Sequence, residues 1–158
     1  MTIFGKSLSE YIRFQKGFLL LIVAVAVARL ALSLAGVPNA TAKWVSVTAM
    51  LLIGLLYYSV RVYTSGFGSY RQLLPIIWFQ SFTAHLIIAA AIVLGIVTQH
   101  DNIFTAPEYS GGGDGKTWFH AGAHLVLGTT VGPLIGWLVG CLIMFITKKV
   151  KREKPAMA

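Results

Sequence analysis

Four long apolar runs, separated by short polar segments, dominate the order of residues along this chain. They cover approximately residues 17–35, 43–63, 75–98 and 117–147. An α-helix rises about 1.5 Å per residue and a hydrocarbon core is about 30 Å thick, so each run is long enough to cross a bilayer. The runs do not alternate in polarity, which argues against a β-barrel. The pattern predicts an all-α integral membrane protein, an antiparallel four-helix bundle in a single domain over residues 1–158.

Residues that begin and end helices flank these runs. Ser7 and Glu10 have the spacing of a capping box, which predicts a helix start ahead of the first run. That helix is either a short separate element in the membrane interface or an extension of the first span into the cytoplasm. Gly36 is predicted to end span one. We expect Thr41 to cap span two and Pro75 to open span three.

A four-residue rhythm marks the last run. Two imidazoles and then four glycines follow at the same interval: His120, His124, Gly128, Gly132, Gly136 and Gly140. Residues four apart share one face of a helix, and glycines at this spacing let a second backbone approach closely in a membrane. The stripe therefore predicts a glycine zipper for helix packing, or room for a flat ligand. Pro133 predicts a kink, with Thr129 or Thr130 bonding the carbonyls that the kink frees.

Composition and charge support a membrane protein and orient it. The chain is 56% hydrophobic and 11% charged, whereas soluble domains are about a quarter charged. Ten of its basic residues flank the runs on one side: Lys6, Arg13, Lys16, Arg61, Arg71, Lys148, Lys149, Lys151, Arg152 and Lys154. The positive-inside rule predicts a bacterial inner-membrane protein with both termini in the cytoplasm and residues 99–116 as an outer loop. The net charge of +8 is then a topology signal that attracts anionic lipid, and it does not indicate nucleic-acid binding.

Arg29, in the outer half of the first run, is the most costly residue of the chain to insert, at ~2.5 kcal/mol or more. Three explanations are open. The guanidinium snorkels to the outer interface. Alternatively, it pairs with an acid of the outer loop, which contains Asp101, Glu108 and Asp114. In the third explanation it binds an anionic ligand or a quinone oxygen.

The histidines are the other candidates for chemistry. His85, near the middle of the third run, is either satisfied by one carbonyl or hydroxyl group or acts as a haem ligand, proton relay or pore-lining group. His120 and His124 are one helical turn apart, and together with His100 they could bind a metal ion. Counted from opposite membrane faces, His85 and His124 differ by about ten Å in depth, which is awkward for one haem between them.

We expect the buried polar residues to form one site. The candidate cofactor-binding residues converge on an outward-opening cavity beneath residues 111–115: Arg29, His85, His120 and His124. Interior burial lets such groups share water, acids or a ligand, whereas exposure to lipid is costly. Haem b is the first cofactor to consider at this site, and a metal ion the second.

Three classes of function remain for the sequence. It has no nucleophile elbow, P-loop, Rossmann glycines or C-x-x-C, and its acids lie outside the apolar runs. We expect it not to be an enzyme on its own. It is predicted to be an accessory or membrane subunit of a larger complex; the alternatives are a haem b- or quinone-interacting redox subunit and a homo-oligomeric channel or small carrier. Its expected partners are the lipid bilayer and either other membrane subunits or further copies of itself.

Overall fold

The computed structural model describes residues 2–153, and the side chains of residues 2–151. The elements are β1 Thr2–Ile3, β2 Lys6–Ser7, α1 Leu8–Leu34, α2 Asn39–Ala42, α3 Val47–Thr64, α4 Tyr70–Thr98, a 3-10 turn Pro107–Tyr109, α5 Trp118–Val126 and α6 Val131–Glu153. Four helical segments are long and apolar enough to cross a membrane: Leu8–Leu34, Asn39–Thr64, Tyr70–Thr98 and Trp118–Lys151. The prediction of an all-α chain with four such segments is confirmed. Lys154 and the C-terminus at Ala158 lie outside the described residues.

The first helix begins where the capping box predicts. Ser7 Oγ accepts a hydrogen bond from the Glu10 N–H at 3.2 Å, and the Glu10 carboxylate accepts one from the Ser7 N–H at 2.7 Å. The helix then continues without a break to Leu34. Of the two alternatives, the structure has the continuous first helix and not a short separate N-terminal element. Residues 8–16 contain neither proline nor glycine, so nothing interrupts the backbone hydrogen bonds between the cap and the first span.

The third helix starts later than predicted. Ser46 caps α3, because its Oγ accepts a hydrogen bond from the Ala49 N–H at 3.2 Å. Thr41 lies within the short helix α2, so its assignment as the cap of span two is wrong. Both residues are good N-caps, and their sequence alone does not decide which one the backbone uses.

The fourth helix starts earlier than predicted. The Ser69 N–H donates to Gln72 Oε1 at 2.9 Å, and α4 begins directly after Ser69. Pro75 therefore lies inside the helix and does not open it. Since proline has no N–H, it leaves the Arg71 carbonyl without its usual helical partner.

The last apolar run is interrupted between α5 and α6. Residues 127–130 form a turn in which the Gly132 N–H bonds to the Leu127 carbonyl at 3.1 Å. Thr129 and Thr130 donate their hydroxyls to the Leu125 and Val126 carbonyls, one turn earlier. Pro133 leaves the Thr129 carbonyl without a helical partner, so the prediction that these hydroxyls bond the carbonyl freed by the proline is wrong. The Gly128 carbonyl accepts from Ser81 Oγ at 2.7 Å. The interruption is thus bonded both within its own segment and to α4.

Helix α4 lies at the centre of the arrangement and contacts α1, α3, α5 and α6. One buried apolar cluster joins α1, α4 and the outer loop, and includes Ile22, Ala84 and Ile103. A second cluster joins the inner ends of the helices and includes Tyr11, Leu73 and Met144. Gln15 and Gln80, described below, lie along α1 and α4 between residues of the two clusters.

The outer loop is partly inserted among the helices. Residues 102–106 are all buried. Asn102 Nδ2 donates to the Ala91 carbonyl at 2.9 Å, and the Ile103 N–H donates to Ser33 Oγ at 2.8 Å. A Cβ at Gly115 would lie 2.2 Å from the Thr105 carbonyl oxygen, so the chain entering α5 passes directly against this inserted segment. The loop therefore fills the outer end of the helix group.

Large apolar side chains cover much of the outer surface. Along α6 they are Leu134, Ile135, Leu138, Val139, Leu142, Phe145 and Ile146. Exposed apolar patches of this extent are unusual for a soluble monomer and indicate contact with lipid or protein.

Candidate histidine site

His85 and His124 form a direct side-chain pair between α4 and α5. Their Nδ1 atoms are 2.9 Å apart and their ring centroids are 5.1 Å apart. Two nitrogens at this distance share one proton, so one ring donates through Nδ1–H and the other accepts. Both rings are half-buried. The geometry therefore fixes opposite tautomers when both imidazoles are neutral.

The predicted difference in depth between His85 and His124 is wrong. The estimate of depth assumed that the last apolar run starts at the same level in the membrane at which the third run ends. Instead, Asn102 and Thr105 pack against Gly95, about one helical turn inside the end of α4, and α5 starts from the level of this inserted loop. His124 is thereby carried inward to the level of His85.

His120 extends the pair towards the outer loop. Its ring centroid is 5.0 Å from that of His124. Its Nδ1 is 2.9 Å from the Gly115 carbonyl oxygen. A carbonyl oxygen only accepts hydrogen bonds, so His120 Nδ1 carries the proton and a neutral His120 has Nε2 as its free acceptor. The three rings form a histidine cluster, defined here as His85, His120 and His124.

The glycines of the last run let α6 and the turn before it approach α3 and α4. A Cβ at Gly128 would lie 2.5 Å from His85 Cγ, and one at Gly140 would lie 2.7 Å from Ser59 Oγ and 2.9 Å from Leu73 Cδ2. Gly136 faces Ile77 more loosely, at 3.3 Å. Gly132 is exposed and borders a cavity. The site thus depends on Gly128 in particular, because any side chain there would displace the His85 ring.

Two buried glutamines extend the group of polar side chains from the histidine cluster towards the inner end of the helices. Gln80 Nε2 donates to Gln15 Oε1 at 3.0 Å, and both side chains are almost fully buried. A cavity of about 170 Å³ lies beside them and is lined in part by His85, Ser81 and Gln80. Within the described residues, Gln15 Nε2 is buried without a hydrogen-bond partner. Gln80, Ser81 and His85 line this cavity together with mostly apolar residues, and its volume has room for several water molecules.

The sequence indicated some of these inner residues and not others. Ser81 and Gln80 belong to a polar stretch that is visible in the third run. Gln15 precedes the first apolar run, among residues that are expected to be solvated. The only signal in the sequence that Gln15 is buried is its position four residues after Tyr11, because residues four apart share a helix face.

Arg29 lies apart from the histidine cluster. Its guanidinium carbon is 5.2 Å from the centroid of the Phe104 ring and 5.5 Å from that of Tyr109, both in the outer loop. These are cation–π distances. Among the described residues no acid forms a salt bridge with Arg29, so the ion-pair explanation is wrong. The structure thus divides the four predicted site residues between two places and does not converge them on one cavity.

The acids of the outer loop bond elsewhere. Lys116 pairs with Asp101 and, at 3.6 Å, with Asp114. The hydrogen bond to Asp101 raises the pKa of the Lys116 ammonium above its ordinary value. Glu108 accepts from Asn39 Nδ2 at 3.0 Å; its own backbone N–H and this amide lower the pKa of its carboxyl. Of the segment predicted to roof the site, residues 111–113 are exposed, whereas Gly115 is buried and its carbonyl bonds to His120.

The proposed metal ligands His100, His120 and His124 are not gathered together. His100 borders a surface cavity with Ser33 and Asp101. Within residues 2–153 no group of three or more histidine, cysteine, aspartate or glutamate side chains is arranged to hold a metal ion. His85 and His124 alone could offer two nitrogens to a metal, and the remaining ligands would have to come from another molecule.

The His85–His124 pair does not fit a haem between its rings. A metal–imidazole bond is about 2 Å long, so two axial imidazoles on opposite sides of an iron stand about 4 Å apart. The two Nδ1 atoms are closer than this, and the adjoining cavity of about 170 Å³ is smaller than the roughly 300 Å³ at which ligand pockets begin. The direct hydrogen bond leaves no slot for a porphyrin.

Comparisons of this chain with protein-family models, with curated proteins and with solved structures give no match.

Proposed function

We propose that this chain is an integral protein of a bacterial inner membrane and works as a membrane subunit of a larger complex, in which its histidine cluster passes protons. Its four helices form an antiparallel bundle with both termini in the cytoplasm. The exposed apolar side chains and the one-sided distribution of basic residues support this arrangement. In the contacts between the glycines of the last run and α4, residue numbers increase along α6 while they decrease along α4. This order supports opposite directions for the two helices. The glycines would then act as a glycine zipper.

The hydrogen bond between His85 and His124 carries the proposal. An ionisable group buried among membrane-spanning helices is costly and is a functional candidate by default. Two imidazoles joined through their Nδ1 atoms at 2.9 Å are arranged for proton transfer between rings. In this proposal the proton is supplied from the side of His120, the outer neighbour of the pair, and water in the cavity beside His85 receives it.

The transfer can be written with every proton accounted for. In the starting state His124 carries its proton on Nδ1 and His85 carries its proton on Nε2. A proton received from the His120 side binds His124 Nε2, the Nδ1 proton moves to His85, and His85 releases its Nε2 proton to water in the cavity. The two tautomers are then reversed. The starting state returns when each ring exchanges its proton with water on its own side of the pair: His85 gains a proton on Nε2 and loses the one on Nδ1, and His124 gains a proton on Nδ1 and loses the one on Nε2.

A homo-oligomeric channel or small carrier is the second candidate. The exposed apolar face of α6 supports it, since another copy could cover that face. In this case the same polar residues would line a path through each copy. The redox alternative with one haem between His85 and His124 receives no support from their spacing.

Reconstitution into proteoliposomes tests the proposal. An internal pH-sensitive dye reports proton entry under a potassium diffusion potential set with valinomycin. We expect the protein to admit protons and His85→Ala and His124→Ala to abolish entry, whereas His100→Ala, outside the cluster, keeps it. Entry no faster than in empty liposomes, or entry unchanged in both cluster variants, would overturn the proton-transfer role.

A further inference from the structure

A second cavity lies in the inner half of the helix group, and its lining differs chemically from the histidine cluster. Its volume is about 620 Å³, within the range of small-molecule sites. Three separate segments form its walls: the N-terminal hairpin, the start of α4 and the start of α6. Gln72 Nε2 donates to the Phe4 carbonyl at 2.8 Å and fastens the hairpin to α4.

Two prolines shape this recess. Pro75 of α4 and Pro133 of α6 both line it, and both are buried. Pro75 interrupts the hydrogen-bond ladder of α4, whereas Pro133 lies in the first turn of α6, directly after the turn at residues 127–130. The course of the backbone at these two places therefore shapes the recess.

The walls favour a hydrocarbon occupant. Most of the lining is aliphatic or aromatic, including Leu8, Leu74 and Trp78. The polar side chains among the lining residues are Thr129 and Thr130, and both hydroxyls already donate to carbonyls of their own segment. Trp78 is stacked on Phe82, with ring centroids 5.0 Å apart, and remains partly exposed. Such walls offer few hydrogen bonds to a polar ligand.

The face of α4 that lines the recess carries a basic residue nearer the inner end of the helix. Arg71 is three and four positions before Leu74 and Pro75, and therefore on their face of the helix. Its side chain is exposed. Among the described residues Arg71 forms no salt bridge. An exposed cation one turn beyond an apolar recess complements a ligand with a phosphate at one end and a hydrocarbon chain at the other.

We propose that this recess binds the acyl chain of an anionic phospholipid of the inner leaflet, with Arg71 holding the phosphate of the headgroup. The inference rests on the proposed membrane orientation and is independent of the histidine cluster. A basic residue near an anionic surface is expected to give roughly fivefold preference for anionic over zwitterionic lipid.

Quenching of Trp78 by brominated acyl chains tests this site in the full chain. The protein is reconstituted in phosphatidylcholine containing a small, equal fraction of brominated phosphatidylglycerol or brominated phosphatidylcholine. The Trp78 signal is the difference between the protein and its Trp78→Phe variant. We expect stronger quenching by the brominated phosphatidylglycerol. Arg71→Gln should remove the difference, and Arg13→Gln, which removes another exposed inner-side cation, should retain it.

Several outcomes would overturn the lipid site. Equal quenching by the two lipids, or a preference that persists in Arg71→Gln, would show that Arg71 selects no headgroup. Absence of quenching by both lipids would show that another protein surface, such as a second copy, covers the recess. Because proton entry is measured separately, failure here leaves the proton-transfer role standing.

Discussion

At the scale of single residues, Gly128 decides whether the His85–His124 hydrogen bond can exist. A Cβ there would lie 2.5 Å from His85 Cγ and 2.5 Å from the His124 carbonyl oxygen. We expect Gly128→Ala to destabilise the protein by about 1–3 kcal/mol through overpacking and to separate the two rings. Thermal unfolding in detergent measures the first effect, and imidazole ¹⁵N shifts measure the second.

Gly122 is the matched control for this substitution. It lies in α5, and a Cβ there would meet open space. Alanine at an open helical position stabilises a helix by roughly 0.5–1 kcal/mol relative to glycine. Gly122→Ala should therefore unfold at an equal or higher temperature, and a loss as large as that of Gly128→Ala would contradict the packing argument.

The buried glutamine pair supports a second prediction. Gln15→Leu leaves the Gln80 amide without its acceptor in a buried position, which we expect to cost about 1–3 kcal/mol. Replacing both glutamines with leucine removes both polar groups and should recover most of that loss. Unfolding free energies of the two single variants and the double variant give the coupling, and strictly additive losses would contradict the pairing.

Sequence reasoning at this scale succeeded where a residue's type limits its partners. Ser7 and Glu10 bond as their spacing predicts. It failed for Gln15, whose partner is 65 positions away along the chain. Contacts at such separation depend on how whole helices are placed, and a local pattern carries no information on that placement.

At the scale of elements, the inserted part of the outer loop sets the level of α5 and thereby of His124. Asn102 holds this segment, because its Nδ2 donates to the Ala91 carbonyl and its Oδ1 accepts from the Phe104 N–H, both at 2.9 Å. The apolar runs predicted four helical segments that are long and apolar enough to cross a membrane, because continuous hydropathy is a strong signal. They could not reveal a loop that folds back among the helices, and the estimated depth of His124 was wrong for that reason.

Removing this anchor gives the element-scale prediction. Asn102→Ala leaves buried backbone groups unpaired, which we expect to cost about 1–3 kcal/mol and to shift α5 relative to α4. Proton entry in proteoliposomes should fall together with stability. Asn39→Ala, which removes an exposed amide bonded to Glu108, should change stability by about 0.5 kcal/mol or less. Equal effects of the two variants would contradict the role of the inserted segment.

At the scale of the whole molecule, the orientation in the membrane determines which way the histidine cluster and the lipid recess face. The basic residues at the inner ends outnumber those at the outer ends by ten to two, since only Lys43 and Lys116 fall on the outer side. Positive charge is retained on the cytoplasmic side during insertion. In the proposed orientation His120 faces the outside, and the recess near Arg71 faces the inner leaflet.

Cysteine accessibility in spheroplasts tests this orientation. Gly113 and Ser65 are exposed loop residues, and neither has positive φ. In a Cys141→Ala background, we expect a membrane-impermeant maleimide to label Gly113→Cys in spheroplasts and to leave Ser65→Cys unlabelled until the membrane is permeabilised. The matched pair controls for expression and for reactivity after permeabilisation. The reverse pattern would invert the bundle, place His120 on the cytoplasmic side and require the proton path to run from the cytoplasm outward.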